Sequence, residues 1–482
     1  MRKRYTLWYI LSGLALVAIL ALAIIINNNY GTTNLENATS SLDTDNGDLK
    51  INWDRYPSYE IELKDTLTIT QSGTYHLTGS LIDDNIIINV SDGVVKIILD
   101  NVNIQNSTGP AIACYLADDL VIELVGDNTL SDGKTYSADY DEDVKGAIYS
   151  KSDLTFQGEG TLNLTANYQD AIVSKDDLKF NNGIYNISAA DDAIRGKDSV
   201  YIVDGDFSIT AKSDAIKSTN ETDAGKGFVL IESGDITINS GDDGIHAIRT
   251  LVINNGKINI EKSYEGLEAQ VITINGGEVS IIANDDGINA GGGSDTTTTT
   301  NDRRNPGAMD VNTNCILTIN GGNIYINASG DGVDSNGYIY FNGGNVVVDG
   351  PTNNGNGALD SGAGIIMHGG TAIAVGSNGM AETLGSTSSV YNISVYFASS
   401  QAAGTKIEIK DSTNNTILSH TSAKAFAHMA AGSDKFNLGE TYTIYINGKK
   451  YQDFTITDTT TTVGNNNGNI NQNMMPGPNN RR

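Results

Sequence analysis

Short segments in which hydrophobic and polar residues alternate recur along most of the chain. Aliphatic residues occupy every second position in Ile236–Ile238, Ile258–Ile260 and Ile324–Ile326, which is the pattern of a β-strand with one buried face. A glycine column runs in step with these segments, most often at intervals of 21 to 24 residues. Its members are Gly160, Gly183, Gly205, Gly234, Gly256, Gly277, Gly322, Gly344 and Gly370. The spacing predicts a repeated unit of short strands joined by glycine turns.

A second motif, an acid followed by Ala or Gly and then an aliphatic residue, keeps the same spacing. It ends at Ile172, Ile194, Ile216, Ile245, Leu267, Ile288 and Val333. The two longest gaps contain polar insertions, near residues 219–227 and at residues 291–312. A unit of this length cannot bury its own apolar face and has to stack on copies of itself. The sequence therefore predicts an all-β fold, a parallel β-helix of about ten coils that are each about 4.8 Å thick.

The two ends of the chain differ from this repeat. Three basic residues precede an uncharged run, Thr6–Ile26, which is long enough for a transmembrane helix. We expect residues 1–26 to form a cytoplasmic stub and a single-pass anchor, with the rest of the chain outside the cell; a cleaved signal peptide would give the same location. Residues 27–50 are a polar linker, 51–380 the β-helix, 381–457 a C-terminal β cap and 458–482 a disordered tail.

Composition narrows the classes of partner and chemistry. The chain has 30 Lys and Arg against 58 Asp and Glu, a net charge of −28, so we expect cations rather than nucleic acid as partners. Cys114 and Cys315 should lie many coils apart, beyond the reach of a disulfide, and we predict that both are free thiols. The histidines are not arranged as in zinc proteases, and no phosphate-binding glycine loop occurs.

Stacking of the repeats would align the motif acids into a column. Neighbouring carboxylates at coil spacing repel one another, so they have to bind protons or cations. Ca²⁺ suits such a column because it takes six to eight oxygen ligands. The alternative is a column of acids that accept hydrogen bonds from turn amides. The candidate metal ligands are Asp170, Asp191, Asp192, Asp214, Asp242, Asp243, Glu265, Asp285, Asp286 and Asp331.

One residue beyond each motif aliphatic, a second column is mostly polar. If it points outward, it forms a ribbon that could hold an extended anionic polymer. The candidate ligand-binding residues are Arg195, Lys217, His246, Glu268, Asn289 and Tyr149, with Tyr264 near the motif turn. Tyr168, also near that turn, and Tyr185 and Tyr325, at expected outward strand positions, are further aromatic side chains that could stack on a sugar.

The segments KIILDNVNIQNSTGPAIAC (Lys96–Cys114) and DDAIRGKDSVYI (Asp191–Ile202) resemble a known family. They are similar to bacterial carbohydrate-binding-domain proteins of the pectate-lyase-like β-helix superfamily, over about residues 55–450. The resemblance implies a right-handed helix and an extracellular protein that binds calcium and cellulose or a pectin such as polygalacturonate. The family's calcium-binding acids would correspond to Asp192, Asp214, Asp243 and Asp286, with their doubled neighbours.

Three functions are compatible with these observations. The favoured one is calcium-dependent polysaccharide binding by a monomer, without catalysis. The second is a lyase in which calcium acidifies the α-proton of a uronate and Lys217 or Arg195 removes it. The third is a structural adhesin or spacer, which would need neither calcium sites nor affinity for a polysaccharide.

Overall fold

The structure, a computed structural model, describes residues 51–291 and 311–465, and almost all of their regular structure is β. The strands, β1 to β41 in chain order, follow a helical turn of the 3₁₀ type at Trp53–Arg55. From β4 to β34 the chain visits three sheet faces in turn. Each strand pairs in parallel with the strand of the next coil on the same face. This arrangement is a parallel β-helix.

Face 1 carries the acid motif. It contains β2 (Leu67–Ile69), β4 (Ile86–Asn89), β7 (Ile112–Leu116), β10 (Gly146–Ser150), β13 (Asp170–Ser174), β16 (Ile194–Gly196), β19 (Ile216–Ser218), β26 (Ile288–Ala290), β29 (Val333–Ser335), β32 (Leu359–Ser361) and the first parts of β22 (Ile245–Ile253) and β24 (Leu267–Ile274).

Face 2 follows it along the chain. It contains β1 (Ser58–Leu63), the first part of β3 (Gly73–Ile82), β5 (Val94–Asp100), β8 (Asp119–Val125), β11 (Asp153–Gln157), β14 (Asp177–Phe180), β17 (Ser199–Ile202), β20 (Phe228–Ile231), the second parts of β22 and β24, β27 (Ile316–Ile319), β30 (Tyr338–Phe341) and β33 (Gly364–Met367).

Face 3 completes each coil. It contains the end of β3, β6 (Asn103–Gln105), β9 (Asp127–Ser131), β12 (Thr161–Ala166), β15 (Ile184–Ala189), β18 (Asp206–Ala211), β21 (Asp235–Asn239), β23 (Lys257–Ser263), β25 (Glu278–Ala283), β28 (Asn323–Ala328), β31 (Asn345–Asp349) and β34 (Thr371–Gly376).

The alternating segments fold as they do because every second side chain points into the coil. On face 3, Ile236 and Ile238 are buried, whereas the intervening Thr237 is half-buried. The glycine column turns the chain between faces 2 and 3. Gly234 has φ +119°, and a Cβ there would lie 2.8 Å from the carbonyl oxygen of Gly205 in the preceding coil. Only glycine fits both the left-handed backbone and the close coil contact.

After β34 the parallel repeat ends, and the sheet continues with antiparallel pairing. Strand β38 (Phe426–Ser433) pairs with β34 and with β35 (Asn392–Gln401), which in turn pairs with β41 (Thr460–Val463). A separate antiparallel sheet, here called the small sheet, contains β36 (Lys406–Lys410), β37 (Thr416–Thr421), β39 (Thr441–Ile446) and β40 (Lys449–Thr455). Because β38 pairs with the last face 3 strand, that strand does not present a free edge.

The predicted fold needs a correction, because it included an N-terminal transmembrane helix. Residues 6–26 lie outside the described residues, as do the linker and the insertion at residues 292–310. Within residues 51–291 and 311–465, no helix is long and apolar enough to cross a membrane. The fold that the structure supports is a nearly all-β chain with a large parallel sheet.

Two further predictions concern individual residues. Cys114 and Cys315 are both free thiols, as predicted, and both are buried. The sequence predicts a disordered tail from residue 458, but residues 460–463 form β41, because they pair with β35. The remaining predicted domain boundaries, and the handedness of the helix, stay predictions.

Candidate functional site

The motif acids lie in one line along face 1. Ile172 pairs with Ile194, which pairs with Ile216, and the register continues to Ile245 and Leu267. Each of these residues follows its motif acid by two positions. We call the resulting column the acid ladder: Asp170, Asp192, Asp214, Asp243, Glu265, Asp286 and Asp331. Residues that are far apart in the chain are therefore neighbours in space.

One oxygen of most ladder acids connects adjacent coils. Oδ1 of Asp170 accepts a hydrogen bond from the backbone N–H of Asp192 at 3.3 Å, and Oδ1 of Asp192 accepts one from Asp214 at 3.1 Å. The same bond joins Asp214 to Asp243 at 2.8 Å and Asp286 to Asp331 at 2.5 Å. The ladder thus includes the hydrogen bonds from backbone amides that were the expected alternative to calcium. The second oxygen of each carboxylate remains for other partners.

Three acids that directly precede ladder acids, Asp191, Asp242 and Asp285, belong to an outer column beside the ladder. Backbone hydrogen bonds stack Asp191 on Gln169, Asp242 on Ser213, Tyr264 on Asp242 and Asp285 on Tyr264. Asp242 and Tyr264 are exposed, and Asp191 and Asp285 are half-buried. The hydrogen bond and charge of Asp285 raise the pKa of Tyr264 to about 12. The predicted ligands Asp191, Asp242, Asp285 and Tyr264 therefore lie together at the solvent side of the ladder.

The residues of the predicted polar ribbon form a column on the other side of the ladder, but His246 in this column is fully buried. Arg195, Lys217, His246, Glu268 and Asn289 are consecutive register partners on face 1. The column continues to Asp334 and Asp360.

Two tyrosines from the predicted binding set are not at the surface. Tyr149 belongs to the polar ribbon by register but is fully buried against Val144 and Val173, so it cannot contact a ligand directly. Tyr185 lies in the core, where its ring stacks on Phe207 with centroids 4.6 Å apart.

Cationic side chains lie beside the first part of the ladder, which we call the paired segment: Asp170, Asp192 and Asp214 with Arg195, Lys217 and His246. Nη1 of Arg195 lies 3.2 Å from Oδ2 of Asp170, and Nζ of Lys217 lies 2.7 Å from Oδ2 of Asp214. Nδ1 of His246 lies 3.7 Å from Oδ2 of Asp214, 3.5 Å from Oδ2 of Asp243 and 3.6 Å from Oε2 of Glu268, so this histidine is shared with the acids that follow. Burial raises the pKa of Asp214, but His246 and Lys217 outweigh this effect and hold the pKa below its usual value. Burial and the charges of Asp214 and Asp170 nevertheless raise the pKa of Asp192 to about 7, an effect that Lys217 and Arg195 offset only in part.

Beyond His246 the balance of charge reverses. The acidic segment consists of Glu265, Glu268, Asp286, Asp331, Asp334 and Asp360, and its column positions contain no Lys or Arg. Burial and the charge of Glu268 raise the pKa of Glu265 to about 8. Burial together with neighbouring acids raises the pKa of Asp286 and of Asp334 to about 7. Carboxyl groups with such values bind protons or cations near neutral pH.

The donors of the acidic segment fit a cation that prefers oxygen. One carboxylate oxygen each from Glu265, Glu268 and Asp243, the ladder acid between the two segments, lies within 4.8 Å of the others. Nδ2 of Asn289 donates to Oε2 of Glu265 at 3.0 Å, while the buried Oδ1 of Asn289 has no hydrogen-bond partner among the described residues. Several carboxylates and one amide oxygen are the ligand types of Ca²⁺.

A glycine leaves room for two acids farther along the segment. A Cβ at Gly330 would lie 2.3 Å from Oδ1 of both Asp285 and Asp286. The two carboxylates therefore converge on the space that a side chain would otherwise fill. This arrangement provides a second cradle of oxygen donors.

The sequence reasoning missed three acids of this region as candidate ligands. Asp334 and Asp360 belong to the polar ribbon. The change from basic to acidic residues along this column is the feature of the sequence that could have identified them. Glu382 lies after the last face 1 strand, and burial and the charge of Asp360 raise its pKa to about 7. Because Glu382 lies outside the repeat, no spacing pointed to it.

Comparison with known proteins finds a family model, a relative and a solved structure that are similar to this chain. Residues 64–303 match the model of a family described as carbohydrate-binding domain-containing protein. A relative of that description from Acetivibrio thermocellus is 38% identical over 216 residues, which are 44% of this chain and 75% of the relative. A gadolinium-derivative structure of a polysaccharide lyase-like protein from C. thermocellum is 28% identical, with a TM-score of 0.40. That alignment covers 46% of this chain and 92% of the other.

Proposed function

We propose, for a chain that belongs to the family of carbohydrate-binding domain-containing proteins, that face 1 binds a polysaccharide through calcium. The observation that carries the proposal is the acidic segment, a row of buried and half-buried carboxyl groups from successive coils along face 1. The carboxyl groups repel one another in the absence of a cation. Calcium would remove this repulsion and leave coordination positions for a ligand.

The chemistry favours a polyuronate such as polygalacturonate over cellulose. A neutral glucan offers hydroxyl groups only, whereas a uronate carboxylate can coordinate the same Ca²⁺ as Glu265, Glu268 and Asn289. The repeat also supports an extended ligand, because its side chains recur at coil spacing along one face. Arg195, whose side chain remains 33% exposed, adds a direct partner for carboxylate in the paired segment.

Binding without catalysis is the proposal, and the lyase alternative has no observation in its favour. Arg195 and Lys217, the candidate bases, are both held by ladder carboxylates at 3.2 Å and 2.7 Å. A base that has to accept a proton needs a free electron pair directed at the substrate. The extracellular location stays a prediction of the sequence.

Isothermal titration with Ca²⁺ tests the metal site. The Glu265→Gln/Glu268→Gln variant keeps the side-chain volumes but removes two carboxylates, and we expect its affinity for Ca²⁺ to fall by about tenfold or more. Asp192→Asn is the matched control, because Asn keeps the oxygen that accepts the amide hydrogen bond and because Asp192 lies outside the cluster of Asp243, Glu265 and Glu268. Equal losses in both variants, or no loss in the first, would overturn the assignment.

A further inference from the structure

We propose that the exposed ring of Tyr168, backed by Tyr136, is a stacking platform for one pyranose ring of the bound polysaccharide. The platform lies at the start of the acid ladder, at the opposite end of the binding face from the acidic segment. The inference rests on the proposed polysaccharide function and adds an aromatic subsite to it. This subsite does not require calcium.

Tyr168 owes its position to one extra residue in its coil. Ala166 pairs with Ala189, and Ala189 pairs with Ala211. The turn from Ala166 to the ladder acid Asp170 contains three residues, whereas the turns that follow Ala189 and Ala211 contain two. The longer turn includes Tyr168, whose side chain is 37% exposed. A large aromatic ring at an inserted surface position is not needed to fill the core.

Tyr136 comes from a second insertion, the segment of residues 132–145 between β9 and β10. Its ring lies 4.4 Å from that of Tyr168, with 29° between the planes. The Tyr136 hydroxyl donates to Oδ2 of Asp132 at 2.8 Å and lies 3.2 Å from the carbonyl oxygen of Gly146. Asp132 in turn accepts a hydrogen bond from the N–H of Asn167, the residue before Tyr168. These bonds fix the two insertions to each other.

The stack is thus held in place before any ligand arrives. One face of the Tyr168 ring packs on Tyr136, which lies 5.8 Å from Tyr140 in the same insertion. A rigid aromatic ring loses little conformational entropy on binding. The C–H face of a pyranose is apolar and broad, so it packs against such a ring without needing a charge. Two independent insertions that build one exposed stack are best explained by a ligand.

The platform is continuous with the proposed binding face. Tyr168 precedes Asp170 by two positions, and Arg195, which pairs with Asp170, belongs to the polar ribbon. Burial and Asp132 raise the pKa of Tyr136, and the charge of Asp170 adds to the effect. A polysaccharide lying along face 1 would reach both the platform and the acidic segment.

The test compares Tyr168→Ala, Tyr168→Phe and wild type by calorimetric titration with oligogalacturonates of increasing length, in calcium and in chelator. We expect Tyr168→Ala to weaken binding about three- to tenfold, the size of an aromatic contact. Tyr168→Phe keeps the ring and should bind as wild type does. The fold-change caused by Tyr168→Ala should be the same in calcium and for the residual binding in chelator, and titration with Ca²⁺ alone should be unchanged.

Tyr451→Ala, which removes an exposed tyrosine from strand β40 of the small sheet, is the matched control and should bind as wild type. Wild-type affinity in Tyr168→Ala, with wild type itself binding, would overturn the platform and leave the proposed function intact. Equal losses in Tyr168→Ala and Tyr168→Phe would also overturn it, because they would point to the hydroxyl. An absence of binding by wild type would refute the proposed function itself.

Discussion

At the scale of single residues, the ladder acids divide two tasks between the two oxygens of one carboxylate. Oδ1 of Asp192 accepts the amide hydrogen of the next coil, and the second oxygen lies toward the polar ribbon, where Arg195 approaches within 4.0 Å. Whether a ladder Asp forms an ion pair therefore depends on its neighbour in the polar ribbon. Asp214 beside Lys217 is part of an ion pair, whereas Asp286 beside Asn289 has no such cation.

The raised pKa values of the acidic segment predict a pH dependence. Glu265, Asp286 and Asp334, with pKa values of about 8, 7 and 7, hold more protons in the folded chain than in the unfolded chain, where such groups titrate near about 4. Their contribution to the stability of the calcium-free protein therefore falls as the pH rises from about 5 to 8. Calcium replaces the protons, so it should raise Tm more at pH 8 than at pH 5.5. Thermal unfolding with calcium and with chelator at both pH values measures this difference. A shift of the same size at both would contradict it.

Gly330→Ala tests the second cradle without changing any charge. The added methyl group would lie 2.3 Å from Oδ1 of both Asp285 and Asp286, so the carboxylates have to move apart. We expect weaker Ca²⁺ binding by calorimetry, together with a modest loss of stability. Gly355→Ala is the control, since the nearest atom to its Cβ, Oδ1 of Asn353, lies 3.3 Å away. Unchanged Ca²⁺ binding in Gly330→Ala would remove Asp285 and Asp286 from the metal site.

At the scale of strands and coils, much of the arrangement was predictable, because a repeat converts sequence spacing into register. Ile194, Ile216 and Ile245 were aligned from the chain alone and are register partners in the structure. Tyr185 was expected at an outward strand position, yet it pairs with Leu162 and Phe207, which both belong to the inward column. Column membership was a better guide to its burial than polarity.

The paired segment should stabilise its coils through the buried ion pair of Asp214. Asp214→Ala leaves Lys217 and His246 without this carboxylate and removes the acceptor for the N–H of Asp243. We expect a loss of about 3–5 kcal/mol in the free energy of unfolding, as for other buried pairs that lose one partner. Urea denaturation measures it. Asp191→Ala, which changes a half-buried acid in the outer column, should cost less; a cost as large as that of Asp214→Ala would contradict this account.

At the scale of the whole molecule, one buried acid links the β-helix to the C-terminal strands. Asp349, at the end of β31, is fully buried. Its Oδ1 lies 2.7 Å from Nε2 of His420 and accepts from the Ser422 hydroxyl at 2.9 Å. Its Oδ2 accepts from the Ala423 N–H at 3.0 Å and from the Tyr325 hydroxyl at 3.0 Å. Tyr325, expected to be available for a sugar, is therefore engaged in this contact.

Asp349→Ala should loosen the C-terminal strands from the helix. The substitution leaves several buried donors without an acceptor, and we expect a loss of about 3 kcal/mol or more. Burial raises the pKa of Asp349, but His420 and the Ala423 N–H hold it below its usual value. The contribution is therefore present above about pH 4 and is lost as the pH falls through the lowered pKa. Limited proteolysis at neutral pH should cleave within residues 392–465 in the variant first; an unchanged pattern would contradict this role.

Sequence reasoning could not foresee the links made outside the repeat. The contact of Asp349 with His420 joins segments with different spacing, so no column relates them. The stack of Tyr136 on Tyr168 likewise depends on two insertions that interrupt the period. In the repeat, one coil predicts the next. Outside it, only the folded chain shows which side chains meet.

The most direct test of the central claim is co-sedimentation of the protein with polygalacturonate that is attached to beads without calcium crosslinks. The experiment is done in calcium and in chelator. Wild type and Asp192→Asn should bind in calcium and lose most of that binding in chelator, whereas Glu265→Gln/Glu268→Gln should bind weakly in both. Cellulose in parallel shows whether the uronate carboxylate is required. Equal binding of all three proteins in chelator and in calcium would contradict a calcium site in the acidic segment.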